Sequence, residues 1–159
     1  MKDEIKTFAE YKELVREYEK SDSLSGRKSI EHAVYIKARD LLHELIALYA
    51  KYDRDYIDDS DFREDRGHLF MTEFNENEVW MNYYDHWAYG GECDIGIEVK
   101  MKYLDNDKMA TLEKELRIDH VSHVKKLIKE NKAAIENLKK EVKKLEAEVE
   151  KFEAEEKIR

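Results

Sequence analysis

Between Asp85 and Leu104 the chain reads DHWAYGGECDIGIEVKMKYL. After the pair Gly90–Gly91 the residues alternate strictly: Ile95, Ile97, Val99, Met101 and Tyr103 take one side, and Asp94, Gly96, Glu98, Lys100 and Lys102 the other. A period of two is the signature of a strand with one face buried and one wet, which is the habit of antiparallel sheets. The Gly-Gly pair supplies the turn that leads into it.

Upstream, HLFMTEF (His68–Phe74) and EVWMNYY (Glu78–Tyr84) carry the same period, separated by the turn-forming NENE. Three strands in a meander are therefore expected from Gly67 onward. In the second strand Val79, Met81 and Tyr83 share one face while Trp80 and Tyr84 share the other. Both faces carry bulky groups, and a single covering layer serves only one of them.

That layer is expected from the N-terminal third. Phe8, Tyr11, Leu14, Val15 and Tyr18 recur at three and four residues, giving an amphipathic helix. SDSLSGRKS (Ser21–Ser29) interrupts it with turn-forming residues, and a second helix is expected from about Ser29 to Tyr52. Its apolar face is built on Val34, Leu41, Leu45 and Tyr52. Two such helices joined by a short loop pack as a hairpin, and the hairpin covers the apolar side of the meander. The fold class is α+β.

Downstream, Asp105–Asp107 offers a helix N-cap, and Met109, Leu112 and Leu116 resume a helical period whose phase shifts near Ile118–Val121. From there the chain reads as heptads. Val121, Ile128, Ile135, Val142 and Val149 occupy a; Val124, Asn131, Leu138, Leu145 and Phe152 occupy d. A stripe this narrow needs a partner helix. In a parallel pair Glu141 meets Glu146, and Glu148 meets Glu153, which repel. With one chain reversed so that Val142 lies opposite Leu145, Ile135 meets Phe152, and Lys139 and Lys132 meet Glu146 and Glu153. Asn131 then lies level with Glu156, and only Glu141 with Glu148 repels. An antiparallel homodimer is the expectation, with an acidic head over residues 1–120 and a coiled-coil tail over 121–159.

Charge supports that division. The 159 residues are 42% charged with a net charge of -9, but residues 121–159 hold eleven Lys and Arg against nine Glu. The remaining 18 basic and 29 acidic side chains put a balance of -11 on the head. Such a surface repels phosphates, arguing against direct nucleic-acid binding and for a protein partner with a basic surface. The single cysteine, Cys93, excludes a disulfide framework. No apolar run approaches a membrane span or a signal-peptide core, so a cytoplasmic protein is expected.

Motifs of chemistry are thin. DRDYIDDSDFREDRG (Asp53–Gly67) has six Asp and one Glu, yet read from Asp59 as an EF-hand it puts Arg63 at the fifth position and Glu64 at the sixth. It is read as a solvated acidic patch, with Asp58, Asp59 and Asp61 as candidate partner contacts. HELIA from His43 lacks the second histidine of a zinc-protease helix, and His120 with His123 gives two ligands without a third. No nucleophile elbow, phosphate loop or dinucleotide fingerprint occurs. No metal, cofactor or catalytic residue is expected.

The aromatic group remains. Trp80, Tyr83, Tyr84, Trp87 and Tyr89 fall beside Gly90–Gly91, and an uncovered aromatic surface next to a turn suits partner binding. Trp80, Tyr84, Trp87, Tyr89, Gly90 and Gly91 are the candidate contacts. The succession of Trp and Tyr, a Gly-Gly turn, an acidic residue, an alternating strand ending in KYL and a charged helix resembles small phage and prophage accessory proteins of unknown function. The resemblance covers about Val79 to Leu116, although this chain lacks the proline common in their last strand. It implies a viral accessory origin. The functional expectation is a non-enzymatic protein that binds and inhibits or redirects a host protein, such as a defence component. The alternatives are sequestration of a nucleotide-like ligand between aromatics, or an enzyme whose carboxylates and histidines meet only in the fold.

Overall fold

A computed structural model of the protein describes residues 4–57, 64, 67–87 and 90–158, with the backbone alone for Trp87. The elements follow in the order α1 (Phe8–Lys20), α2 (Leu24–Lys51), β1 (His68–Phe74), β2 (Glu78–Trp87), β3 (Gly91–Lys100), a 3-10 turn (Met101–Leu104) and α3 (Asn106–Lys157). The chain divides into two compact units, one ending at Leu116 and one beginning at Arg117. The fold is α+β: an N-terminal helical pair, a three-stranded antiparallel sheet and a long C-terminal helix.

Helix α1 starts where its capping chemistry dictates. The Thr7 hydroxyl accepts from the Glu10 N–H (3.2 Å), and the Glu10 carboxylate accepts from the Thr7 N–H (3.1 Å) in a capping box. Those backbone donors, with that of Lys6, hold the Glu10 carboxyl below its ordinary range. A further N-terminal donor, the Phe8 N–H, is taken by the Asp105 carboxylate (2.9 Å). The acidic residue expected to cap α3 thus spends its side chain on α1.

Helix α2 begins at Leu24, five residues before the expected start. Ser23 is the reason: its hydroxyl accepts from the Gly26 N–H (3.2 Å) and caps the helix inside a segment that composition marks as loop. The helix buries Val34, Ala38, Leu41, Leu42 and Leu45. After it, Asp53 adopts a left-handed φ of 52°, and the Arg54 N–H returns to the Tyr49 carbonyl (3.0 Å) to close the C-terminus.

The sheet order is β1-β2-β3. Val79, Met81, Tyr83 and Val99 are covered by the helices and join Tyr11, Val15 and Leu42 in one core. Met101, Leu112 and Leu116 complete it. Inward alternation therefore falls as read, but β3 stops at Lys100 instead of running to Leu104. The Met101 N–H donates to the Asn77 carbonyl (2.9 Å), and the chain turns into a 3-10 segment that buries Met101. Between Met71 and Glu73 the register slips by one residue, placing Thr72 in a bulge whose hydroxyl donates to the Trp80 carbonyl (3.1 Å).

Close packing reaches the backbone at Gly67, where an added Cβ would fall 2.5 Å from the Tyr83 Oη. Tyr11, fully buried, donates its hydroxyl to the Asn75 carbonyl (2.6 Å) at the β1–β2 turn. Burial, reinforced by the Glu78 carboxylate, pushes its pKa above the ordinary 10.0.

Candidate protein-binding surfaces

Pairing residues point to the same side of a sheet, so the register builds the second face of the meander row by row. His68, Tyr84 and Asp94 form one row; Phe70, Asn82 and Gly96 the next; Glu73, Trp80 and Glu98 the third. Both helices lie against the opposite face, and among the described residues no element covers this one. Phe70 is 45% exposed, and Trp80 and Tyr84 are half-buried.

The chemistry of this face is aromatic and acidic. Trp80 has a glutamate directly across on each side, Glu73 on β1 and Glu98 on β3, and Glu78 two residues back along its own strand. The Glu98 carboxyl is held above its usual range, first by its hydrogen bond with Glu78, then by burial and by the Glu78 charge, against the opposing effect of Lys100. The Lys100 ammonium stands 3.9 Å from Glu98. Asp94 accepts a hydrogen bond from the Asn82 amide (2.5 Å). At Gly96, in the middle row, an added Cβ would find no atom within 4 Å. The face therefore has a notch there, with Tyr84 and Trp80 on its two diagonals.

Of the aromatic residues singled out by sequence, the fold gathers Trp80 and Tyr84 on this face. Trp87 pairs through its backbone with Gly91 at the far end of the hairpin. Gly90 takes a left-handed φ of 82° in the turn, a conformation that selects glycine. Tyr89, Asp58, Asp59 and Asp61 lie outside the described residues. Sequence reasoning missed Phe70, Glu73, Glu98 and Gly96 as neighbours of Trp80. Alternation assigns each to a face, but only the inter-strand register, shifted by the bulge at Thr72, says which residue sits opposite which.

The second surface is the stripe on α3. Val121, Val124 and Ile128 are exposed; Ile135, Leu138, Val142, Leu145, Val149 and Phe152 each keep between 50% and 64% of their accessible surface. Asn131 is exposed among them. A shallow hole opens between Ile135, Leu138 and Val142, flanked by Lys139. Within the helix Lys139 pairs with Glu136 (3.0 Å) and Lys126 with Glu130 (3.9 Å); these exposed pairs are each worth only a few tenths of a kcal/mol, roughly.

No group of three or more metal-ligating side chains occurs among the described residues. His43 faces Glu64 (3.1 Å) on an exposed surface. No described helix is long and apolar enough to cross a membrane. Compared with protein-family models, with curated proteins and with solved structures, the chain gives no match.

Proposed function

We propose that this is a non-enzymatic accessory protein of phage type, whose acidic head binds a host protein and inhibits or redirects it in the host cytoplasm. The observation that carries the reading is the open outer face of the sheet, where Phe70, Trp80 and Tyr84 stand among carboxylates with no covering layer among the described residues. An aromatic surface of this kind favours a macromolecular partner, and host defence proteins are the first class of target to test. The viral origin rests on the resemblance of Val79–Leu116 to phage accessory proteins.

In the same reading the α3 stripe pairs two copies as an antiparallel homodimer. The exposure of its a and d positions supports this, as does the reversed register that pairs lysine with glutamate at the flanks. Two heads on one dimer bind a multivalent target with raised apparent affinity through effective concentration.

Two measurements test the proposal together. In a Cys93→Ser background, Val142→Cys and Leu145→Cys chains are mixed and oxidised. Mixed 142–145 disulfides are the expected product; faster 142–142 bonds would replace the antiparallel arrangement with a parallel one. Affinity capture from host lysate with the intact protein is expected to retain a partner that Trp80→Ala loses. Capture of nothing by the intact protein would remove the binding function.

A further inference from the structure

We propose that the outer face of the sheet docks a basic segment of the protein partner, an arginine or lysine side chain entering the notch at Gly96 between Trp80 and Tyr84. This rests on the reading of the head as a protein-binding module and names the chemistry of its partner.

Charge complementarity is the first argument. The outward positions of the described strands carry five carboxylates (Glu73, Glu78, Glu92, Asp94 and Glu98) against one lysine, Lys100. Two of them, Asp94 and Glu98, flank Gly96 at two residues on either side, roughly 6.6 Å along the strand. A guanidinium or ammonium over the glycine therefore meets a carboxylate in both directions.

The aromatic geometry is the second. Tyr84 pairs with Asp94 and Trp80 with Glu98, so both rings are diagonal neighbours of Gly96. Diagonal neighbours in a sheet lie about 7–8 Å apart, so a long side chain standing over Gly96, beside the Asn82 that pairs with it, comes within reach of either ring. A cation near a Trp or Tyr face within about 6 Å of the ring is attracted by its quadrupole. Absence of a side chain at Gly96 lets the cation come down to the level of the rings. Any other residue there fills the space, although the backbone itself has no need of glycine: no left-handed φ is found at this position and nothing crowds its Cβ.

Crowding of carboxylates beside Trp80 is the third: the neighbouring Glu78 holds the Glu98 carboxyl above its usual range, and a cation docked there relieves that like-charge contact. The flatness of the face favours a protein segment over a small ligand, because small-ligand sites are concave and enclose most of their guest.

The test is fluorescence anisotropy with a labelled arginine-rich peptide, titrated with the intact protein at low and at physiological salt. Trp80→Ala and Gly96→Val are compared with the wild type and with a control, Glu19→Gln/Asp22→Asn, that removes two exposed charges elsewhere on the head. Gly96→Val keeps every charge and suits a strand, so its folding is expected to be intact, checked by its thermal transition. The expected result is salt-sensitive binding, weakened about ten-fold by either site variant, the effect of roughly 1.4 kcal/mol, and altered less than about two-fold by the control. Binding equal in Gly96→Val and wild type, an equal loss in the control, or no binding at low salt would overturn the proposal. A host partner retained equally by Gly96→Val would move the docking site elsewhere and leave the binding function standing.

Discussion

Val15 in α1 and Val142 in α3 are the same residue on the apolar face of a helix, yet one is 2% exposed and the other 52%. Val15 is buried in a core to which helices and sheet of the same chain both contribute. Val142 lies on a helix that supplies an apolar stripe and no second layer of its own. Helical periodicity is thus a statement about what a segment needs, and the rest of the chain decides whether the need is met internally. The head is a unit that closes on itself over one face of its sheet; the tail leaves its apolar stripe exposed.

The comparison breaks most visibly at Leu145. In a symmetric pair each substitution counts twice, so Leu145→Ala should weaken dimerisation by about 3–6 kcal/mol, roughly a hundred-fold or more in Kd. Sedimentation over a concentration series would measure it, and the melting of the head should not follow. Leu42→Ala should do the opposite. It removes a fully buried side chain and should destabilise the head by about 2–5 kcal/mol, read as a fall in unfolding midpoint that does not vary with protein concentration. A concentration-dependent loss at Leu42, or a concentration-independent one at Leu145, would erase the distinction.

A smaller effect sharpens it. Tyr11→Phe leaves the Asn75 carbonyl without its 2.6 Å hydrogen bond in the core and should cost the head about 1–3 kcal/mol. Because burial raises the Tyr11 pKa above the ordinary 10.0, folding favours the protonated phenol. Its contribution is complete below pH 10.0 and lost as the pH climbs through the raised value. Denaturant titrations of wild type and Tyr11→Phe should show the wild type losing more stability across that alkaline range.

How far these features could be read without coordinates differs from element to element. Ile97 and Val99 announce their inward face by alternation, and the α3 heptads announce a stripe, because both signals are local and periodic. Ser23 was hidden in a stretch whose composition says loop, since one hydroxyl on one N–H outweighs the average of its neighbours. The end of β3 at Lys100 was equally hidden: Met101 and Tyr103 continue the alternation while the backbone has already turned. The surroundings of Trp80 depended on pairing across strands. Residues separated by as little as Glu73 from Trp80, or as much as Trp80 from Glu98, become neighbours only when the register is fixed, and one bulged residue shifts it.

Tyr35 of α2 and Tyr56, beyond the end of that helix, have a further consequence. Both outer strands of the sheet are edges, and each gives up a carbonyl to a phenol: Leu69 of β1 accepts from Tyr35 (3.0 Å), and Glu98 of β3 from Tyr56 (2.8 Å). An edge strand with free backbone groups is a template on which another copy can polymerise. Each phenol takes one acceptor from an outer strand, so the side chains that pack beside the core also leave each edge with one backbone group fewer to offer an added strand.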